Sequence, residues 1–233
     1  MDNNEMPQLT YSKFNDMIYW SFDIDYSSGK FNLDNPEERA IWLADVVSSC
    51  LRILPGFAEI ENVYVTTDSK GDNGFILKPA TPEGLQLLDH FLRNTQDVAD
   101  VGISLRLECL QLKGKEESQE LFYIHGRSRL VLDNHYSKFN LDYLDEAPAS
   151  IRLAIGTDIY SPFTLSPLRD NRKLAALNGA RLRSFLHGLH DFLPLRLTDI
   201  NDHGYSRLDL IDRYGFKMPA NPAAIESRIK YAN

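Results

Sequence analysis

Met17-Ile18-Tyr19-Trp20-Ser21-Phe22-Asp23-Ile24-Asp25-Tyr26 is the stretch that decides the fold. Ile18, Trp20, Phe22, Ile24 and Tyr26 alternate with Met17, Tyr19, Ser21, Asp23 and Asp25, and a period of two over ten residues predicts a strand with one well-buried face. After Ser27-Ser28-Gly29, the run Asn35-Pro36-Glu37-Glu38 supplies a cap, a proline at the first helical position and two carboxylates in the first turn. Leu43, Val46, Val47, Cys50, Leu51 and Leu54 then recur at three-and-four spacing, which predicts an amphipathic helix ending at Pro55-Gly56.

Working outward, Ile60–Thr67 and Phe75–Lys78 read as a hairpin joined by the polar turn Asp68–Gly74. Thr81-Pro82-Glu83 repeats the cap-and-proline signature ahead of a second helix with Leu85, Leu88 and Leu92 on its buried stripe. Val101–Leu112, Leu121–Leu132 and Ile151–Ile159 are further strands, and Asp170–Phe192 keeps the helical period across Gly179. In the last forty residues a short strand near Leu208–Ile211 and a short helix after Asn221-Pro222 are expected. The predicted class is α+β, a mostly antiparallel sheet with helices packed on one face. The chain reads as one domain over residues 1–233, with a subdivision between an acidic part at 1–149 and a helical part at 150–233.

The composition, 43% hydrophobic and 25% charged, is that of a folded globular chain. Cys50 and Cys109 stand apart with no CxxC pair, so two buried reduced thiols are expected rather than a disulfide framework or a structural zinc. The acidic start, Met1-Asp2-Asn3-Asn4-Glu5, does not fit a secretory leader, and no apolar run is long enough to span a bilayer, so the expected location is the cytoplasm, away from the membrane. Residues 1–149 carry 25 Asp/Glu against 13 Lys/Arg, whereas 150–233 carry 8 against 12. Such an acidic part repels nucleic acid and attracts a basic partner.

Several constellations could carry chemistry. Carboxylates at Asp23 and Asp25, two apart on a strand, share a face and could share a divalent metal. A strand with two aspartates, a helix and a hairpin bearing Gly71-Asp72 resembles, over residues 17–95, the palm-like catalytic core of class III nucleotide cyclases. That resemblance implies Asp23, Asp25 and Asp72 as metal ligands, with Arg127 or Arg129 as phosphate contacts. Tyr26-Ser27-Ser28-Gly29-Lys30 departs from it where that family has a phosphate-cradling Gly-Phe segment. His187 and His190, three apart on the long helix, could pair on one face, but no HExxH pattern accompanies them, and His203 beside Asp202 reads as an ordinary loop residue. GxSxG, GxGxxG and P-loop motifs are absent. Arg169, Arg172, Lys173, Arg181 and Arg183 gather around the long helix without forming one stripe, so a solvated face or contacts to the acidic part are expected there, not nucleic acid.

The reading placed first is a non-catalytic protein-binding protein, most concretely a bacterial immunity protein or inhibitor of a basic toxin enzyme, with no cofactor. Its contact candidates are Asp23, Asp25, Glu59, Glu61, Asp68 and Asp72, helped by aromatics such as Tyr26 and Phe31. The second is a metal-dependent nucleotide-processing enzyme using Asp23, Asp25 and Asp72.

Overall fold

The structure is a computed structural model that describes residues 13–26, 29–69, 74–78, 80–113, 118–138, 147–165, 168–202, 205–225 and 227. Its elements run β1 (Lys13–Ile24), α1 (Pro36–Arg52), β2 (Ala58–Thr67), β3 (Phe75–Leu77), α2 (Pro82–Asn94), β4 (Val98–Lys113), β5 (Ser118–Asn134) and β6 (Ala149–Thr157). There follow β7 (Phe163–Leu165), β8 (Leu168–Asp170), α3 (Arg172–Phe192), β9 (Leu195–Asn201), β10 (Ile211–Asp212) and β11 (Gly215–Phe216). Seven strands form one sheet in the order β3-β2-β4-β5-β6-β1-β9, and every neighbouring pair is antiparallel. This is the α+β architecture expected, with the helices against one face.

The capping chemistry forms as the sequence indicates. The Asn35 side chain accepts the Glu37 and Glu38 N–H groups at the start of α1, and Thr81 accepts the Gly84 N–H at the start of α2. On the sheet, direct cross-strand partners share a face, so Trp20 opposite Leu153, Leu153 opposite Leu130 and Leu130 opposite Ile103 make one continuous apolar row. Ile18, Trp20, Phe22 and Ile24 are all at most 1% exposed. They join one hydrophobic cluster that runs through Leu43 and Val47 of α1, Leu88 and Leu92 of α2, and Leu182, Phe185 and Leu189 of α3.

β1 lies between β6 and β9, so the first described strand pairs with the two strands of the seven-stranded sheet that come last in the chain. Trp20 also donates its indole N–H to the Asp212 carbonyl at 2.8 Å and meets Phe216 edge-on at 5.8 Å, which fastens the β10–β11 hairpin beneath the sheet.

Four local features depart from the sequence reading. β9 is a strand that alternation does not reveal: the register with β1 passes from Ser21–Asp199 to Phe22–Leu197, so Thr198 is bulged and the period of two breaks in the middle. α3 begins at Arg172, because Asp170 belongs to β8 and pairs with Phe163. In place of a strand at Leu208–Ile211 there is a 3-10 turn at Ser206–Leu208, a left-handed Asp209 (φ 56°) and only two residues of β10, and a helical turn follows Pro222 over 222–225. Finally, β5 bulges opposite Arg106, where Gly126 (φ 68°) takes a left-handed conformation.

Asn178, on α3 and fully buried, explains how the sheet survives where β2 stops short. β2 begins opposite Leu107, so Leu110 of β4 has no strand on that side. Asn178 replaces it: the Leu110 N–H donates to Asn178 Oδ1 at 2.7 Å, and Asn178 Nδ2 donates to the Leu110 carbonyl at 3.0 Å. Asn178→Ala leaves two buried backbone groups unpaired and should destabilise the protein by about 2–3 kcal/mol, read as a lower urea midpoint with little change in slope.

Candidate functional site

Among the described residues no helix covers the other face of the sheet, and its outward residues fall into cross-strand rows. One row runs Asp23, Ser150, Asp133, Asp100 and Thr66 from β1 to β2. The next runs Ser21, Arg152, Val131, Gly102 and Tyr64, and a third Tyr19, Ala154, Arg129, Ser104 and Asn62. Tyr64 lies across Gly102, where any Cβ would collide with its ring, so a glycine in mid-strand gives the tyrosine its place. The Arg152 guanidinium sits over Tyr19 at 5.5 Å, and Arg129 is exposed.

Asp100 and Asp133 stand directly opposite one another in the first row. Burial raises the Asp133 carboxyl above its ordinary range, against the pull of Arg152, and the neighbouring Asp100 raises it further. Asp100 is raised by burial too, partly offset by a hydrogen bond from Thr66. Beside them, buried His135 is held through Nδ1 on the Ala147 carbonyl at 2.7 Å and Nε2 on Ser150 Oγ at 3.1 Å. Two half-buried carboxylates near the strand ends of a face that no described helix covers suit a cation or a hydrogen-bond donor arriving from outside.

The acidic residues singled out in the sequence are mostly held within the chain. Asp23, only 5% exposed, accepts from Arg196 at 2.6 Å. Glu59 pairs with Arg106, Glu61 with His125 Nδ1 at 2.8 Å, and Asp68 accepts from Ser137 Oγ at 2.5 Å and the Lys138 N–H at 3.1 Å. Asp25 is exposed just past the end of β1, and Asp72 lies outside the described residues. The structure sets Asp23 and Thr66, from whose strand the 68–74 turn departs, four strand spacings apart, about 19 Å. Among the described residues no group of three His, Cys, Asp or Glu is disposed to hold a metal ion.

The remaining candidates also find places. His187 stacks on Tyr214 at 3.9 Å, while His190 meets Phe22 and Tyr214 edge-on, and burial together with Arg213 and His187 lowers its pKa. Arg181 reaches Glu108 at 3.6 Å and the Gly56 carbonyl at 2.7 Å, so it makes a contact to the acidic part. Arg172 pairs with Asp170, and Arg183 donates to the Phe216 carbonyl. Arg129 projects from the open face, whereas the Arg127 side chain and His203 lie outside the described residues. Cys50 and Cys109 are buried free thiols, pushed up to about 12 by burial.

The Asp100–Asp133 pair is what sequence reasoning missed. Alternation along β4 and β5 already puts each on the polar side, but only the cross-strand register brings them together. No protein-family model matches this chain, no curated protein matches it, and no solved structure matches it.

Each carboxyl holds its proton to a higher pH in the native state than in the unfolded chain, so its favourable contribution is complete below the ordinary carboxylate range. It is lost as pH rises through the raised native values. Asp133→Asn and Asp100→Asn should therefore each raise the thermal midpoint by a few degrees at pH 7 and by almost nothing at pH 3, in calorimetric scans at the two pH values.

Proposed function

We propose that this chain is a non-catalytic protein-binding protein, and that its partner is a basic protein which it blocks, as an immunity protein or inhibitor blocks a toxin enzyme in the bacterial cytoplasm. The observation that carries the reading is the sheet face that no helix covers among the described residues. Seven strands span about 29 Å, and the nine residues of β6 about 30 Å, so the face offers on the order of 800 Å², the contribution of one partner to a stable complex.

Its composition supports the same reading. Half-buried Tyr19, Tyr64 and Tyr123 are anchors of the kind that interfaces favour, and Arg129 and Arg152 are set among them. Charges on this face are nearly balanced and largely paired, so they serve register and orientation. The excess of acid over residues 1–149 acts at longer range, drawing in a basic protein and repelling nucleic acid. Asp100 and Asp133, half-desolvated and side by side, gain most from a lysine or arginine delivered by that partner.

Tagged chain incubated with lysate of its native source should retain a basic protein in stoichiometric amount, released as salt rises towards about 0.5 M. The identified partner, purified, should lose its own activity at a 1:1 ratio. Asp100→Asn combined with Asp133→Asn should weaken the complex about tenfold or more while leaving the chain more stable at neutral pH. A chain that retains nothing, or a complex indifferent to both salt and the double substitution, overturns the reading.

A further inference from the structure

Just beyond the ends of β1 and β5 and ahead of β6, Tyr26, Phe31, Leu33, Tyr136 and Pro148 wall a groove of ≈ 250 Å³, with Asp34 at its rim. The walls are fixed from behind. Tyr26 meets Trp42 edge-on at 5.7 Å, and its hydroxyl accepts the Phe31 N–H. Tyr136 lies against the Arg39 guanidinium at 4.5 Å, which is itself anchored by an Nη1 donation to the Leu33 carbonyl at 2.8 Å. Asp25, Asp34 and Glu37 are exposed around this corner. The groove borders the row that holds Asp23, Ser150 and Asp133, so it adjoins the open face.

The Tyr26 and Phe31 rings, with exposed carboxylates at Asp25, Asp34 and Glu37 around the corner, favour a cation in the groove, although Arg39 on Tyr136 already takes up part of the attraction of Asp34. An anion has little to find at the nearby start of α1, because Asn35 already accepts from that turn and Glu37 and Glu38 oppose negative charge. A guanidinium suits the site better than an ammonium: it is flat and weakly hydrated, so it can stack on a ring while its edge donates to a carboxylate. We propose that this groove receives an arginine side chain of the basic partner, an inference that rests on the protein-binding reading. The chain's own competitors for that surface are Arg39, fixed on Tyr136, and Lys30, exposed and with Nζ 4.8 Å from the Phe31 ring centre.

The test uses the full chain, labelled with nitrogen-15 and titrated with the blocked peptide acetyl-Gly-Arg-Gly-amide and with its citrulline counterpart, which keeps the shape and removes the charge. The arginine peptide should shift the amide signals of Phe31, Leu33, Asp34 and Tyr136 saturably, and the citrulline peptide should not. Asp34→Asn, an exposed substitution that leaves the fold alone, should weaken that binding about two- to fivefold, and Lys30→Ala should strengthen it by a similar factor. Equal shifts from both peptides, shifts that map elsewhere, or no shift at about 10 mM overturn the groove assignment. If the partner binds and Asp34→Asn leaves its affinity unchanged, the groove assignment falls while the protein-binding reading stands. If the peptide behaves as expected but no partner is retained, the cation groove stands and the inhibitor reading falls.

Discussion

Burial of the inward face of β1 is the interaction on which the rest of the structure depends. Ile18, Trp20, Phe22 and Ile24 lie at the junction of β6, β9 and the helical layer. Each such side chain contributes about 1.5–3 kcal/mol on leaving water, and the Trp20 indole adds a hydrogen bond to the Asp212 carbonyl. Without β1, β9 has no neighbour in the sheet, and the β10–β11 hairpin loses both the Trp20 hydrogen bond and the ring contact to Phe216. The same strand presents Tyr19 and Asp23 outwards, so one ten-residue alternation organises both the core and the candidate binding face.

The face without a described helix carries a cost in stability. A pair of carboxylates at half-burial costs free energy at neutral pH, and a sheet face left bare of helices invites unwanted association. The two edges are guarded against it. β3 is only three residues long, and β9 carries the Thr198 bulge, with the threonine hydroxyl donating to the Ser21 carbonyl at 3.0 Å. The chain thus blocks sheet extension at both rims.

What could be read in advance follows from where information is local. The strands β1, β2, β4, β5 and β6 and the helices α1 and α2 announce themselves through periodicity and caps, because Asn35, Thr81 and the alternating Ile and Leu positions act within a few residues. The bulge in β9 is not visible, since Thr198 is out of phase only with respect to β1, more than 170 residues away. Asn178 likewise looks like an ordinary polar residue on a helix until Leu110, 68 residues earlier, is seen to need a partner. Of the site, Arg129 and the acidic positions were legible one by one. The opposition of Asp100 and Asp133, and the convergence of Tyr26, Phe31 and Tyr136, exist only in three dimensions.

The pairing of β1 with β6 and β9 also sets a timetable during synthesis. β1 leaves the ribosome about 125 residues ahead of β6 and about 170 ahead of β9, intervals of roughly 6–25 s and 9–34 s at ordinary elongation rates. Until β6 emerges, Trp20 and Phe22 have neither sheet neighbour beside them, and β9 closes the other flank later still. A holding chaperone that covers those side chains in the interval should therefore raise the yield of folded chain.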